Sequence, residues 1–234
     1  MSSISCHNLC KTFRQGDEVI TALDRVCLDI DEGEFVCLSG PSGSGKTTLL
    51  NAVGALDSPD SGAITVGGRR VDNLSRSAQA DMRLHHIGFV FQAFNLIPVL
   101  SARENVEFVM QVQGVPAARR RQVADQVLAE VGMAGLERRR PAQLSGGQQQ
   151  RVAVARAIAS KPALVLADEP TANLDSSSAA QLMDLFVTLN AERGITFVIS
   201  THDARVMAYA GRLIKMRDGM IVADEPQQPR AMGA

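Results

Sequence analysis

The 234-residue chain sets 24 lysines and arginines against 25 aspartates and glutamates, a net charge of −1, and is 45% hydrophobic. That apolar content supports one sizeable core, while the charge balance excludes an overall basic field for gripping a nucleic-acid backbone. No apolar run reaches the ~18–20 residues needed to span a bilayer, so a membrane is expected to be met only through a partner.

In chain order, short apolar segments recur as predicted strands: "VCLDI" at 26–30, "FVCLS" at 35–39, "AITV" at 63–66, "IGFVF" at 87–91, "ALVLA" at 163–167, "ITFVIS" at 195–200, "LIKM" at 213–216 and "MIVA" at 220–223. Several are uniformly apolar rather than alternating, as expected of strands buried on both faces of a largely parallel sheet. Predicted helices lie between them at 47–55, 117–131, 148–159 and 176–192, and residues 93–157 read as almost wholly helical. The pattern is an α/β core interrupted by a helical insertion. The expected division is 1–92 with 158–224 as the core, 93–157 as a helical subdomain, and 225–234 as a polar, frayed tail. Cys6, Cys10, Cys27 and Cys37 form no C-x-x-C pair and follow no secretory leader, so all four read as reduced core thiols.

Gly40-Pro41-Ser42-Gly43-Ser44-Gly45-Lys46-Thr47-Thr48 satisfies G-x-x-x-x-G-K-[ST] between a predicted strand and a predicted helix. Glycines there let successive N–H groups turn toward a phosphate and the following helix adds its positive end. Lys46 would reach the β/γ oxygens and the Thr47 hydroxyl would ligate Mg²⁺. "ALVLADEP", residues 163–170, is a buried strand ending in adjacent carboxylates, and neighbours on a strand point to opposite sides. Asp168 would therefore hold Mg²⁺ and Glu169 would accept the proton from, or orient, an attacking water. A second glycine-rich helix start, "LSGGQQQR" at 144–151, lies about a hundred residues after the first phosphate cradle.

Together "GPSGSGKTT", "LSGGQQQR", "LADEPTANLD" and "STHD", in this order and spacing over about residues 4–223, resemble the nucleotide-binding subunit of an ABC transporter. "LSGGQ" is the most specific element, separating that family from other P-loop ATPases. The resemblance implies a P-loop NTPase (RecA-like) core with a mostly parallel sheet, an N-terminal antiparallel β part and an inserted helical subdomain. It implies ATP and Mg²⁺, and two copies meeting head to tail. Ser145, Gly146, Gly147 and Gln148 of one copy would lie over the γ-phosphate held by the other. Residue by residue, Gln92 matches the glutamine that senses Mg²⁺ and couples to the membrane partner. Asp175 matches the residue linking the two sites, though it could equally be a helix N-cap. His202 matches the histidine that hydrogen-bonds the γ-phosphate. Phe13 lies where the family usually has a tyrosine stacked on adenine, a departure that keeps the π-face and drops the hydroxyl.

The compact length, "ADEPTANLD" and "GFVFQAFNLIPVLSARENV" look closest to the branch serving lipoprotein release, macrolide-type export and related envelope machines. The implied partner is a separate membrane permease contacting the region from Gln92 to Val99, with the chain on the cytoplasmic face of the membrane. For the apolar stretch 94–99, burial under the helical subdomain has equal weight. The arginine runs 119–121 and 138–140 are expected to be solvated helix faces balanced by Asp125, Glu130 and Glu137, with no direct nucleic acid partner. Two other ATPase classes of the family remain open at this stage: a non-transporting membrane complex, and a soluble ATPase acting on DNA or ribosomes.

Overall fold

The computed structural model describes residues 2–16 and 18–229. The chain opens on a long antiparallel pair, β1 (Ser2–Gln15) and β2 (Glu18–Asp31). It then enters the central sheet through β3 (Phe35–Ser39) and turns into α1 (Lys46–Val53). β4 (Ser61–Val66) returns to pair with β1, and the two-residue β5 (Arg69–Arg70) completes a four-stranded sheet ordered β2-β1-β4-β5.

After α2 (Arg76–His86) and β6 (Ile87–Phe91) come three helices without an intervening strand: α3 (Ala102–Val112), α4 (Ala117–Glu130) and α5 (Gly146–Ile158). β7 (Leu164–Asp168), α6 (Ser176–Arg193), β8 (Thr196–Thr201), the one-turn α7 (Ala204–Met207), β9 (Arg212–Arg217) and β10 (Met220–Pro226) follow. The central sheet is ordered β10-β9-β3-β8-β7-β6, parallel throughout except for β10.

Uniform hydrophobicity of the central strands has a direct structural cause. Along β7, Leu164 and Leu166 join the cluster under the antiparallel sheet and α1, while Val165 and Ala167 join the cluster under α3 to α6. In β8, Val198 belongs to the first cluster, and Phe197 and Ile199 to the second. Both faces exclude water, so the period-two alternation of side chains leaves no polar side. The second cluster runs continuously from α3 and α4 through α5 to the sheet, so the helical segment shares its core with the strands. Gly88 makes this approach possible: a Cβ there would sit 2.7 Å from the Ala157 carbonyl oxygen of α5.

Two expectations need correction, and one strand was not foreseen. The predicted tail at 225–234 begins too early, because Glu225 and Pro226 continue β10. Lys215 holds Glu225 at 3.0 Å, and Arg212 holds the adjacent Asp224 through two bonds of 2.7 Å. These charges face a neighbouring strand on an exposed sheet edge, where polar residues are usual; residues 230–234 lie outside the described residues. The four cysteines are free, but only Cys6 and Cys37 are core residues, and burial pushes both thiols up to about 12. Cys27 is exposed and Cys10 half-buried. Finally, β1 escapes a reading by alternation because its pairing shifts between Cys6 and Leu9, where Asn8 adopts φ 49°. Such a bulge flips the side-chain pattern midway along the strand.

Candidate active site

The carboxyl ends of four parallel strands converge. Ser39 of β3 is registered against Thr201 of β8, Ser200 of β8 against Asp168 of β7, and Asp168 against Phe91 of β6. Ligands of open α/β sheets bind at this end of the strands.

The loop from Gly40 to Gly45 joins β3 to α1 through a path closed to other residues at two points. Gly40 has φ 151° and an added Cβ would meet the Met216 carbonyl oxygen at 2.3 Å; Gly45 has φ 99° and would meet that of Ala22 at 2.4 Å. Gly43, at φ 80°, faces open space. The turn after β9 braces the loop from behind, with the Gly219 N–H donating to the Ser44 carbonyl at 3.2 Å. Pro41 and Ser42 are exposed, Ser44 is buried and Thr48 is half-buried. Lys46 is buried, and its ammonium donates to the Gly40 and Pro41 carbonyls at 2.7 and 2.9 Å, so the cation lies inside the curl of the loop.

Across from the loop, the Thr47 hydroxyl lies 3.1 and 3.0 Å from the two Asp168 carboxylate oxygens, and the Ser200 hydroxyl also donates to Asp168. Glu169 departs from the expectation for two neighbours on one strand. The strand ends at Asp168, and Glu169 takes φ 46°, in the left-handed region that non-glycine residues seldom adopt. The two acids still diverge, but through this backbone turn rather than through strand pleating. Glu169 Oε1 lies 2.8 Å from His202 Nδ1. In this geometry an N–H at Nδ1 would donate to the carboxylate. His202 is 71% exposed and Glu169 only 19%, so the acid is sheltered while the imidazole faces outward.

The second glycine-rich segment is a helix start, as its residues suggest. Ser145 caps α5 with its hydroxyl accepting from the Gln148 N–H at 3.3 Å, and the Gln148 side chain accepts from the Ser145 N–H at 3.0 Å. Gly146 and Gly147 pack beside the segment from Asn173 to Ser178, and a Cβ on Gly147 would meet the Ser178 hydroxyl oxygen at 3.0 Å. Among the described residues no hydrogen bond joins 145–148 to 40–48. Within one chain the two cradles stay apart.

The remaining expected residues fall as follows. Gln92 is exposed directly after β6, and its carbonyl accepts from Asn173 Nδ2 at 3.0 Å. Asp175 is the N-cap of α6, accepting from the Ser177 and Ser178 N–H groups and, at 2.6 Å, from the Ser178 hydroxyl. The last bond leads in holding its carboxyl below the usual carboxylate range. Phe13 is 43% exposed, with Lys11 Nζ 5.4 Å from the ring centroid, so it is not core. Along 94–99, Phe94, Leu96 and Ile97 are half-buried and Val99 exposed, so this stretch is not simply core either. In the arginine runs, Arg120 is tied to the Val115 carbonyl, while Arg119, Arg121 and 138–140 are exposed.

Ser200, Asn173 and Gln150 touch the site's elements without having been singled out by sequence. Ser200 alone left a usable signal, a hydroxyl where an apolar strand ends. Gln150, wholly buried, donates to the Pro170 carbonyl at 2.7 Å.

A strand, a glycine-rich loop closing over a lysine, and a hydroxyl facing a strand-end aspartate define a P-loop nucleotide-binding fold. The ABC transporter family profile matches residues 23–172. The ABC transporter ATP-binding protein MJ0796 of Methanocaldococcus jannaschii is 45% identical over 228 residues, covering 95% of this chain and 96% of that protein. The macrolide export ATP-binding/permease protein MacB of Rhodopseudomonas palustris is 43% identical over 98% of this chain, which spans 35% of MacB. A dimeric structure of MJ0796 in a post-hydrolysis state with ADP and Pi superposes with a TM-score of 0.90 at 42% identity, covering 97% of this chain and all of that one. The chain belongs to the ABC transporter family, as an ATP-binding and ATP-hydrolysing subunit.

Proposed function

We propose that two copies of this chain close around ATP and drive an export-type membrane permease of the cell envelope. The observation that carries this reading is the pair of cradles that do not meet: α5 presents the exposed Ser145 with two glycines at a helix N-terminus, and among the described residues no hydrogen bond joins them to the chain's own loop. A second copy, head to tail, brings the two together. That MJ0796 is dimeric, in one structure with ADP and Pi bound, supports an assembly of two copies.

In this assembly the N–H groups of Gly40 to Gly45 and the Lys46 ammonium hold the β- and γ-phosphates, and Phe13 offers a ring face to the base. Ser145, Gly146, Gly147 and Gln148 of the second copy cover the γ-phosphate. Thr47, Asp168 and Gln92 supply only oxygen donors, which suits Mg²⁺. Among the described residues no group of three or more His, Cys, Asp or Glu side chains could hold a metal, so Thr47, Asp168 and Gln92 would hold Mg²⁺ only together with the nucleotide. When bound, Mg²⁺ neutralises charge on the transferring phosphate. Glu169 accepts the proton of the attacking water, and His202, fixed by Glu169, points its outer ring nitrogen to the γ-phosphate. Asp175 lies at the join between the two sites.

The permease surface is the region from Gln92 to Val99 and the adjoining cleft of about 430 Å³, lined by Leu84, Ile87, Phe89, Phe91, Val109 and Arg156. Val99 is exposed on that stretch, and Phe108 and Val112 are exposed on α3, which follows it. Residues 93–157 would move as the helical subdomain that transmits closure to the permease at the inner face of the membrane. No helix among the described residues is long and apolar enough to cross a membrane. The export assignment rests on the MacB relatives. Purifying the tagged chain from native membranes and identifying what stays bound by mass spectrometry tests it. An integral membrane protein with a large extracytoplasmic domain is expected; recovery with ribosomes or DNA alone would contradict it.

A further inference from the structure

We propose that Gln150 is a positioning residue for hydrolysis, which holds the Glu169–Pro170 peptide in its productive orientation from the helix that carries the neighbour's phosphate cradle. The inference rests on Glu169 being the proton acceptor.

Gln150 is wholly buried in the second turn of α5, four residues after Gly146 and so on the same helix face. Both residues look onto the loop that follows β7. An added Cβ on Gly146 would lie 3.7 Å from the Asn173 carbonyl oxygen, and the Gln150 amide nitrogen donates to the Pro170 carbonyl at 2.7 Å. The same nitrogen lies 3.4 Å from the Phe91 carbonyl, the residue before Gln92. One NH₂ group thus connects α5 to the residue after Glu169 and the residue before Gln92.

Two features argue that the amide is present for this donation rather than for packing. The Gln150 carbonyl oxygen is buried without a partner, a penalty that an apolar side chain of the same shape would avoid. And the carbonyl it holds is that of the residue directly after Glu169. Pro170 has a locked φ, so pinning its carbonyl leaves the Glu169–Pro170 peptide little room to turn. On the other side, the Glu169 N–H donates to the Ser200 carbonyl at 3.0 Å, while the Glu169 carbonyl accepts from the Ala172 N–H at 3.2 Å. With φ at 46° the Glu169 backbone sits outside the usual basins, a conformation that persists only when its surroundings over-determine it. Ser200 anchors Glu169 from β8, and Gln150 adds an anchor on the following residue from α5.

The test is a double-mutant cycle on ATP hydrolysis. Gln150→Met keeps length and volume, and because it removes the orphaned oxygen together with the donor, it is expected to fold. The expected result is a kcat lower by tenfold or more with KM for ATP within threefold, and a Gln150→Met/Glu169→Gln double variant no slower than Glu169→Gln within twofold, since one residue acts through the other. A kcat for Gln150→Met within twofold of the parent would overturn the proposal, as would losses that multiply in the double variant. If Glu169→Gln itself hydrolyses ATP normally, the reading of Glu169 fails and this inference falls with it. Should Gln150→Met not fold, Gln150→Asn, one methylene too short to reach Pro170, is put through the same cycle with the same criteria.

Discussion

Replacing Glu169 with glutamine separates chemistry from binding. The side chain keeps its size, and its amide oxygen can still accept from His202 Nδ1, now 2.8 Å from Glu169 Oε1. Folding should therefore change little: a pair whose histidine is 71% exposed is solvent-screened, and such pairs contribute ~0–1 kcal/mol. For a chain of this size that is a shift in Tm of at most about 4 °C. ATP affinity should also hold, because Lys46, Thr47 and Asp168 make their contacts without Glu169. What is lost is the proton acceptor, which general-base catalysis values at ~10²–10⁴-fold, or about 2.7–5.4 kcal/mol of transition-state stabilisation. Phosphate-release kinetics alongside size-exclusion with ATP should show kcat down by at least a hundredfold and a long-lived ATP-bound dimer. A kcat reduced less than tenfold, with only monomer in ATP, would refute the assignment.

Gly45→Ala tests the loop's backbone: an unfavourable φ and a Cβ 2.4 Å from the Ala22 carbonyl should cost about 2–5 kcal/mol, read as a Tm lower by roughly 4–20 °C; an unchanged Tm would show that the loop does not take this path. Phe13→Ala should weaken ATP binding by about 1–3 kcal/mol of stacking, while Phe13→Tyr stays close to the parent. Equal affinities by nucleotide titration would remove Phe13 from the site. Folding lowers the Asp175 carboxyl pKa from its ordinary 3.8, so its contribution is complete above that value and lost as pH falls through the folded pKa. Urea unfolding between pH 5 and 3 should show a shallower loss of stability for Asp175→Asn than for the parent.

Local geometry makes much of the candidate site readable from the sequence. The phosphate loop is nine consecutive residues whose letters are dictated by backbone shape, and the Ser145–Gln148 capping box closes within four residues. The central strands were equally clear, because burial on both faces leaves an unbroken apolar run, as in Leu164 to Ala167. Long-range partners left no such trace. Ser200 and Asp168 are 32 residues apart, and Gln150 and Pro170 are 20 apart. Nothing in "GGQQQR" distinguishes the buried third glutamine from its two half-buried neighbours. The left-handed turn at Glu169 was hidden because a glutamate there conceals what a glycine would have advertised. In β1 the bulge at Asn8 breaks the alternation by which a strand is recognised.

Mixing two defective chains tests the shared catalytic centre most directly. Lys46→Ala removes the cation from the chain's own loop. Ser145→Arg places a bulky cation on the exposed N-cap of α5, at a cost in helix capping of ~1 kcal/mol. Neither variant alone can build a complete centre, whereas a dimer of one of each contains one intact half from each chain. ATP occluded against a chase of unlabelled nucleotide should be near background for either variant alone and rise toward one nucleotide per mixed dimer when they are combined. No gain on mixing, or full retention by Ser145→Arg alone, would contradict the account.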